Sequence, residues 1–407
     1  MVWILAGVSA ALLIYEIPTL VTAVLQPLWA NPNALQTDFH YYYEAARRFA
    51  ADDTRLYLPT DDVIAGFTYP PPAIVPFVWL QRLPLGMALA VFTLASYAAL
   101  LIAIRLWLAY LRSQGKVIGS STAMAITVVA VALGPSYMNV MIGQVNTFVL
   151  LTVVAFVSLA PRSPRIAALL LASGMWLKVY PILLGAIGAW DRRSWKALAW
   201  TIVAVLVIAI VVLPVIPPAA YRVFFGEVLP ARIDKTAIHI TNQSLVAFIE
   251  RFRYAPELFL NWTGQQAVTV SAAVRAFNAI LTGTILIVLW QHGRNRPASL
   301  PAIAAMLIAL VAVVAPLGWG HTYVMVLPLL MLELIALHDA NSARKIAVAV
   351  CVAALMIPAG RHLPIDSAPG WFQNVVYSRY LLAAAGLMVI SALRIGRTTE
   401  LTVSSAT

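Results

Sequence analysis

The run ALAWTIVAVLVIAIVVLP, from Ala197 to Pro214, holds no ionisable side chain and follows directly on Arg192, Arg193 and Lys196. A stretch this apolar, close to the ~20 residues that cross a bilayer, reads as a membrane span. Its basic flank reads as a cytoplasmic end, because short loops rich in Lys and Arg stay inside. The pattern recurs along the chain. Apolar runs fall near 2–28, 85–110, 122–140, 147–160, 166–179, 180–190, 197–214, 267–291, 298–316, 323–338, 346–358 and 377–393. The 407 residues are 62% hydrophobic and 11% charged, with a mean hydropathy of +0.86. A soluble domain is about a quarter charged. The expected fold is therefore all-α integral membrane. It is a polytopic bundle of about twelve transmembrane helices, within about ten to thirteen, because lipid-exposed backbone must satisfy its own hydrogen bonds.

Loop charges orient the bundle. Arg105, Arg112 and Lys116, then Arg162 and Arg165, Arg192, Arg193 and Lys196, Arg294 and Arg296, Arg344 and Lys345, and Arg394 and Arg397 all fall on one side if the runs alternate. Only Asp191, Asp339 and Glu400 oppose them there, so that side is cytoplasmic. The alternation needs residues 166–190 to form a hairpin of two short halves, broken near Lys178-Val179-Tyr180-Pro181. A net charge of +11 thus reports sidedness, not a nucleic-acid partner. The organisation that follows is a first span at 1–30 and an outer loop with interfacial helices at 31–84. Spans fill 85–214, a second long outer loop runs over 215–266, and further spans with a cytoplasmic tail occupy 267–407. The first run lacks a basic leader and a small-residue cleavage site, so it reads as retained. The single cysteine, Cys351, permits no internal disulfide and no cysteine-based metal site.

Polar residues within this chain are few, and they gather at the outer helix ends. Such groups are functional candidates by default. Residues 37–49, with Tyr41, Tyr42 and Tyr43, read as an amphipathic helix at the headgroup level. Asp38 at its start is either a helix cap, a role Thr37 could also fill, or a catalytic acid/base. Asp52, Asp53, Asp61 and Asp62 read as a solvated rim, and Asp38 with His40 is too small a set for a metal. Gly143-Gln144-Val145-Asn146 opens a helix with two carboxamides suited to sugar hydroxyls, although Asn146 could simply cap it. Lys178, among apolar neighbours, either holds a phosphate or snorkels. His321, in Gly318-Trp319-Gly320-His321, is a phosphate contact or a plain interfacial histidine. Two glycosylation-type sequences, at Asn242 and Asn261, are chance-prone and carry no weight. Glu16 and Glu333 lie within spans, and Glu333, near the cytoplasmic half, reads as structural.

Taken in order, Asp38-Phe39-x-x-Tyr42-Tyr43-x-Ala45-Ala46, Phe67-x-Tyr69-Pro70-Pro71, Gly143-Gln144-x-Asn146, Lys178-x-Tyr180-Pro181, Asn242-Gln243-Ser244 and the late His321 resemble glycosyltransferase family 87. These are C-type membrane glycosyltransferases, among them polyprenyl-phosphate-mannose-dependent α-mannosyltransferases. The resemblance implies a polyprenyl-phosphate sugar donor, a glycolipid or glycan acceptor, and multi-pass residence in the cell membrane with the site facing outward. It implies Asp38 as the catalytic residue and His321 as a donor-phosphate contact, which Lys178 joins. Tyr42, Tyr69, Gln144, Asn146, Tyr180, Asn242 and Gln243 are the candidate sugar and acceptor contacts. Inverting displacement with an aspartate base requires no metal or other cofactor. The competing class is a transporter or flippase of a lipid-linked sugar, against which the absence of paired repeats speaks.

This topology predicts that cysteines introduced at position 38 and within the 192–196 turn react with a membrane-impermeant thiol reagent from opposite faces of intact vesicles. Labelling of both from one face would refute it.

Overall fold

The computed structural model describes residues 1–29, 38–51, 56–57, 66–186, 194–260, 267–295 and 299–404. The Asp52, Asp53, Asp61 and Asp62 rim, Thr37, the Arg192-Arg193 turn and the Asn261 sequence lie outside them. The described chain is almost entirely helical. Its first helices are α1 (Val2–Trp29), α2 (Asp38–Ala50), α3 (Val75–Leu80) and α4 (Leu85–Ser113). Then come α5 (Ser120–Ala132), α6 (Gly134–Met141), α7 (Asn146–Leu159), α8 (Pro164–Leu177) and α9 (Trp195–Val212). The segment expected as the second outer loop folds as α10 (Pro218–Val223), a π-turn (Phe224–Val228), α11 (Leu229–Asp234), α12 (Leu245–Arg251) and α13 (Pro256–Leu260). The chain closes with α14 (Ala272–Asn295), α15 (Leu300–Val314), α16 (Leu327–Ile335), α17 (Ser342–Met356), α18 (Gly370–Tyr377) and α19 (Arg379–Ser404). Two three-residue strands, β1 (Lys235–Ala237) and β2 (Ala267–Thr269), pair antiparallel, with Thr236 opposite Val268. The expected span at 267–291 therefore begins as strand and becomes helix only at Ala272.

Helix length departs from the expectation of about twelve spans. Among the described residues, three helices are long and apolar enough to cross a bilayer: Leu85–Ser113, Trp195–Val212 and Ala272–Gly293. Two bent pairs raise this to five, α5 with α6 at 53° and α18 with the start of α19 at 61°. The other apolar helical stretches among the described residues have 10–17 residues, Val2–Pro18 of α1 among them. The physical reason is burial. From Pro301 to Val314 every side chain of α15 is buried, and from Gly320 to Leu334 the 3-10 turn and α16 are buried as well. A helix that is apolar all round and covered all round is bundle core, which need not match lipid thickness. In contrast, α9 and α14 present long exposed apolar faces, such as Ile202, Leu206 and Ile210, to the surroundings.

Two expectations about local structure meet the fold directly. The hairpin break is present: α8 ends at Leu177, Lys178 is extended with φ −151° and ψ 138°, and a 3-10 turn runs over Tyr180–Leu184. Pro181 explains it, since proline cannot donate to the Leu177 carbonyl four residues back and its ring crowds that carbonyl, so α8 ends at Leu177. The amphipathic helix is also present, as α2. Tyr42 and Tyr43, expected at the headgroup level with Tyr41, are instead buried, and only Tyr41 is exposed. They pack into an aromatic cluster with Phe39, Phe67, Phe77 and Phe92. Tyr43 donates to the Leu83 carbonyl at 2.7 Å, which satisfies its hydroxyl there.

At the end carrying the expected cytoplasmic loops, the fully buried Glu333 carboxylate pairs with Arg344 at 2.5 Å and Arg394 at 3.1 Å. The structural reading of Glu333 thus has a concrete form: it ties α16 to α17 and α19. Removing one member of a buried ion set typically costs about 3–5 kcal/mol, because charges are left uncompensated. Glu333→Ala should lower the thermal midpoint of the detergent-purified protein, and replacing all three residues with Leu should recover most of the loss. An unchanged midpoint in the single variant would contradict this.

Candidate functional site

The site begins at a glycine. Gly143 has φ +69°, a left-handed backbone that glycine adopts without strain. A Cβ placed there would lie 2.5 Å from the Phe39 Cβ. With no side chain in the way, the turn closes on the start of α2, and the Phe39 N–H donates to the Ile142 carbonyl at 3.1 Å. That contact brings Gln144 against Asp38. The Gln144 Nε2 donates to Asp38 Oδ2 and, at 3.1 Å, to the Tyr69 hydroxyl. The Tyr42 hydroxyl donates to Gln144 Oε1 at 3.0 Å. An ionised carboxylate only accepts, so the amide nitrogen must face Asp38. Asn139 fixes the backbone of Gln144 by donating to its carbonyl at 3.0 Å.

Cations border the carboxylate. Lys178, half-buried at the end of α8, holds its Nζ 5.4 Å from the centre of the Tyr69 ring and 5.9 Å from that of Tyr180. Ammonium groups at this range are attracted by the ring faces. Tyr180 donates to Asn146 Oδ1 at 2.8 Å, and Asn146 Nδ2 reaches the His321 carbonyl at 3.4 Å. The His321 ring is buried, and its Nε2 has no hydrogen-bond partner among the described residues. Asp38, Tyr42, Tyr69, Gln144, Lys178, Tyr180 and Asn146 are thus joined by contacts, and His321 adjoins them.

Burial pushes the Asp38 pKa above the usual carboxylate value. The Gln144 hydrogen bond and then the Lys178 and Arg232 charges pull against it, but burial prevails. Burial likewise raises the hydroxyls of Tyr42 and Tyr69, which stay neutral donors. Arg232, on α11, is a residue the sequence reading missed. It donates to the Thr68 hydroxyl, one residue before Tyr69. No charge signal singled it out, since the same 215–266 segment also carries Arg222, Lys235, Arg251 and Arg253.

Asn242 and Gln243 stand elsewhere and are otherwise engaged. The Asn242 amide donates to Ala237 and Pro316 carbonyls, and the Gln243 amide to those of Ile240 and Tyr377. Both are fully buried. Their backbone holds the turn before His321, with Gln243 N–H on the Gly318 carbonyl at 2.8 Å and Asn242 bridged to Trp319. Their amides therefore have little capacity left for a sugar, and their observed contacts are structural. Among the described residues no group of three or more His, Cys, Asp or Glu side chains could hold a metal ion, and the His40 Nδ1 is buried without a partner.

The sequence model of glycosyltransferase family 87 matches residues 67–284. The matched segment contains Tyr69, Gln144, Asn146, Lys178, Tyr180 and Arg232, begins after Asp38 and ends before His321. Comparison with curated proteins finds no match.

Replacing Gln144 with Leu removes a bond that favours the charged form of Asp38, so its pKa should rise further. The protonated-carboxyl infrared band, assigned by its loss in Asp38→Asn, should then persist to higher pH than in the wild type. A band that titrates at the same or lower pH would show that Gln144 does not hold the carboxylate.

Proposed function

Because the chain belongs to glycosyltransferase family 87, we propose that it transfers a hexose, mannose foremost, from a polyprenyl-phosphate donor to a glycolipid or glycan acceptor at the outer face of the cell membrane. The chain is a membrane glycosyltransferase by family, and the donor, sugar and facing are our reading of its site. One observation carries that reading: a single carboxylate, held by an amide, shares its enclosure with a lysine and a set of neutral tyrosine donors.

The chemistry follows from the roles these groups can fill. Asp38 would accept the proton of the acceptor hydroxyl as that oxygen attacks the anomeric carbon, and the bond to the phosphate oxygen would break on the opposite side. Direct displacement inverts the centre. The upward pull of burial on Asp38 suits a general base, whose pKa works best near the operating pH. The departing lipid phosphate already carries charge and needs stabilisation more than a proton. Lys178 supplies that charge, and His321, whose ring nitrogen Nε2 has no partner among the described residues, can meet the same group. Tyr42, Tyr69, Gln144, Asn146 and Tyr180 would orient the sugars through the hydroxyls and amides around Asp38. A site at helix ends suits a donor whose tail stays in lipid while its head meets a water-borne group. We also keep the reading of about twelve crossings with both termini inside, the shorter helices being covered by their neighbours.

General-base catalysis contributes about 10²–10⁴-fold in rate. Asp38→Asn, nearly isosteric, should therefore lower turnover of polyprenyl-phosphate-mannose by at least about 100-fold while donor binding persists. Release of polyprenyl phosphate with formation of a new glycoside is the readout. Wild-type turnover by Asp38→Asn would remove the base assignment. Movement of intact donor across liposomes without glycoside formation would replace the transferase reading with a flippase.

A further inference from the structure

Residues 218–234 are helical throughout, but not uniformly. The π-turn Phe224–Val228 interrupts the α-helical geometry between α10 and α11. Pro230 follows two residues later. A proline has no N–H for the helical ladder and its ring crowds the preceding turn, so a widened turn ahead of it relieves both. Each residue of a helix turns the chain by ~100°, so one extra residue in a turn re-aims every side chain after it. After this turn Ile233 faces outward, while Arg232 is half-buried and reaches Thr68.

A second tether fixes the same helix to the site. Phe224 stacks on Tyr57 with ring centroids 6.1 Å apart, and the Tyr57 hydroxyl donates to the Tyr69 carbonyl at 2.6 Å. Thr68 and Tyr69 are consecutive, so Arg232 is positioned from both sides of the residue whose ring faces Lys178. Arg232 also lies within electrostatic reach of Asp38 and Lys178.

We infer that Arg232 is a second phosphate-binding residue, acting with Lys178 on the phosphate of the lipid-linked donor; this rests on the proposed donor class. Lys178 brings a compact point charge on a flexible stem, and Arg232 a planar fork matched to two phosphate oxygens. The guanidinium is carried by the second outer segment and the ammonium by the end of α8. A phosphate held by both would therefore join the 215–266 segment to the end of α8. It would also explain why a helix of the outer segment carries a π-turn, a feature found often at functional sites.

The test uses purified full-length protein in detergent, with a short-chain polyprenyl phosphate and the corresponding polyprenol as probes. The wild type should bind the phosphate more tightly than the alcohol. Charge-assisted hydrogen bonds are worth roughly 1.5–3 kcal/mol, so Arg232→Gln should weaken phosphate binding by roughly 10–100-fold and leave the alcohol unchanged. Arg232→Lys keeps the charge and loses the fork, and should show a smaller loss of the same selectivity. If the wild type prefers the phosphate and Arg232→Gln retains that preference in full, the inference about Arg232 fails while the donor class stands. Equal weakening of both probes would also overturn it, marking Arg232 as structural. A wild type that binds the two probes alike would overturn the donor class and this inference together.

Discussion

The arrangement depends on the contact between the Gln144 amide and the Asp38 carboxylate. A carboxylate at the edge of an apolar bundle is costly unless hydrogen bonds or opposite charge compensate it. Gln144 provides the direct hydrogen bond, and it can do so only because residue 143 has no side chain. The positive φ at Gly143 and the 2.5 Å approach to Phe39 are two faces of one requirement. Any larger residue there would push α2 away from the 142–144 turn, and with it the Tyr42 hydroxyl that holds the other side of the Gln144 amide. The tyrosines then follow: Tyr42 stacks on Phe77 at 4.6 Å, and Tyr69 lies 4.8 Å from Tyr42, so the hydroxyls are set by packing as well as by hydrogen bonds.

Short helices are what make such a site possible. A bundle of uniform spans would place its ends at two flat surfaces. Here α7 starts at Asn146, α8 ends at Leu177, and the turn before α16 starts at Gly320, and these ends meet near the start of α2. Each end releases backbone polar groups and admits residues that a helix interior would exclude. The cost of short helices in lipid is avoided because α15 and α16 are sheathed by their neighbours, while α9 and α14 carry the long apolar surfaces. Asn242 and Gln243 belong to the same economy of space: their backbones stitch this segment to the Gly318–Gly320 turn and so set where His321 stands, while their amides hold neighbouring carbonyls.

Much of this could be read along the chain because the site is built at punctuation. Gly143, Pro181 and the Gly318–Gly320 turn interrupt apolar runs, and a polar side chain beside a break in an apolar run is conspicuous. Asp38 at the start of an amphipathic stretch was visible for the same reason. Membrane-crossing number was less legible, since hydropathy cannot separate a helix covered by lipid from one covered by protein. The burial of Tyr42 and Tyr43 was hidden too, because an amphipathic period marks one apolar face but does not say whether lipid or protein meets it. The contacts of Asn242 and Gln243 were not legible either: a carboxamide that could hold a sugar is equally able to hold a backbone, as theirs do here. Arg232 escaped because its direction depends on a π-turn, which shifts the helical register and leaves no residue pattern beyond the proline after it.

The electrostatics of the site impose a final consistency on the proposed reaction. Burial strengthens Asp38 as a base, whereas the cations suited to a phosphate weaken it. On the proposed reading, a donor phosphate between the cations would offset their pull, leaving burial to act on the carboxylate with less opposition. In the proposed reaction the base is therefore strongest when the sugar it must act on is present, and weaker when only water could use it. That coupling needs no moving part: it follows from placing one carboxylate and two cations within electrostatic reach of each other in a low-dielectric enclosure.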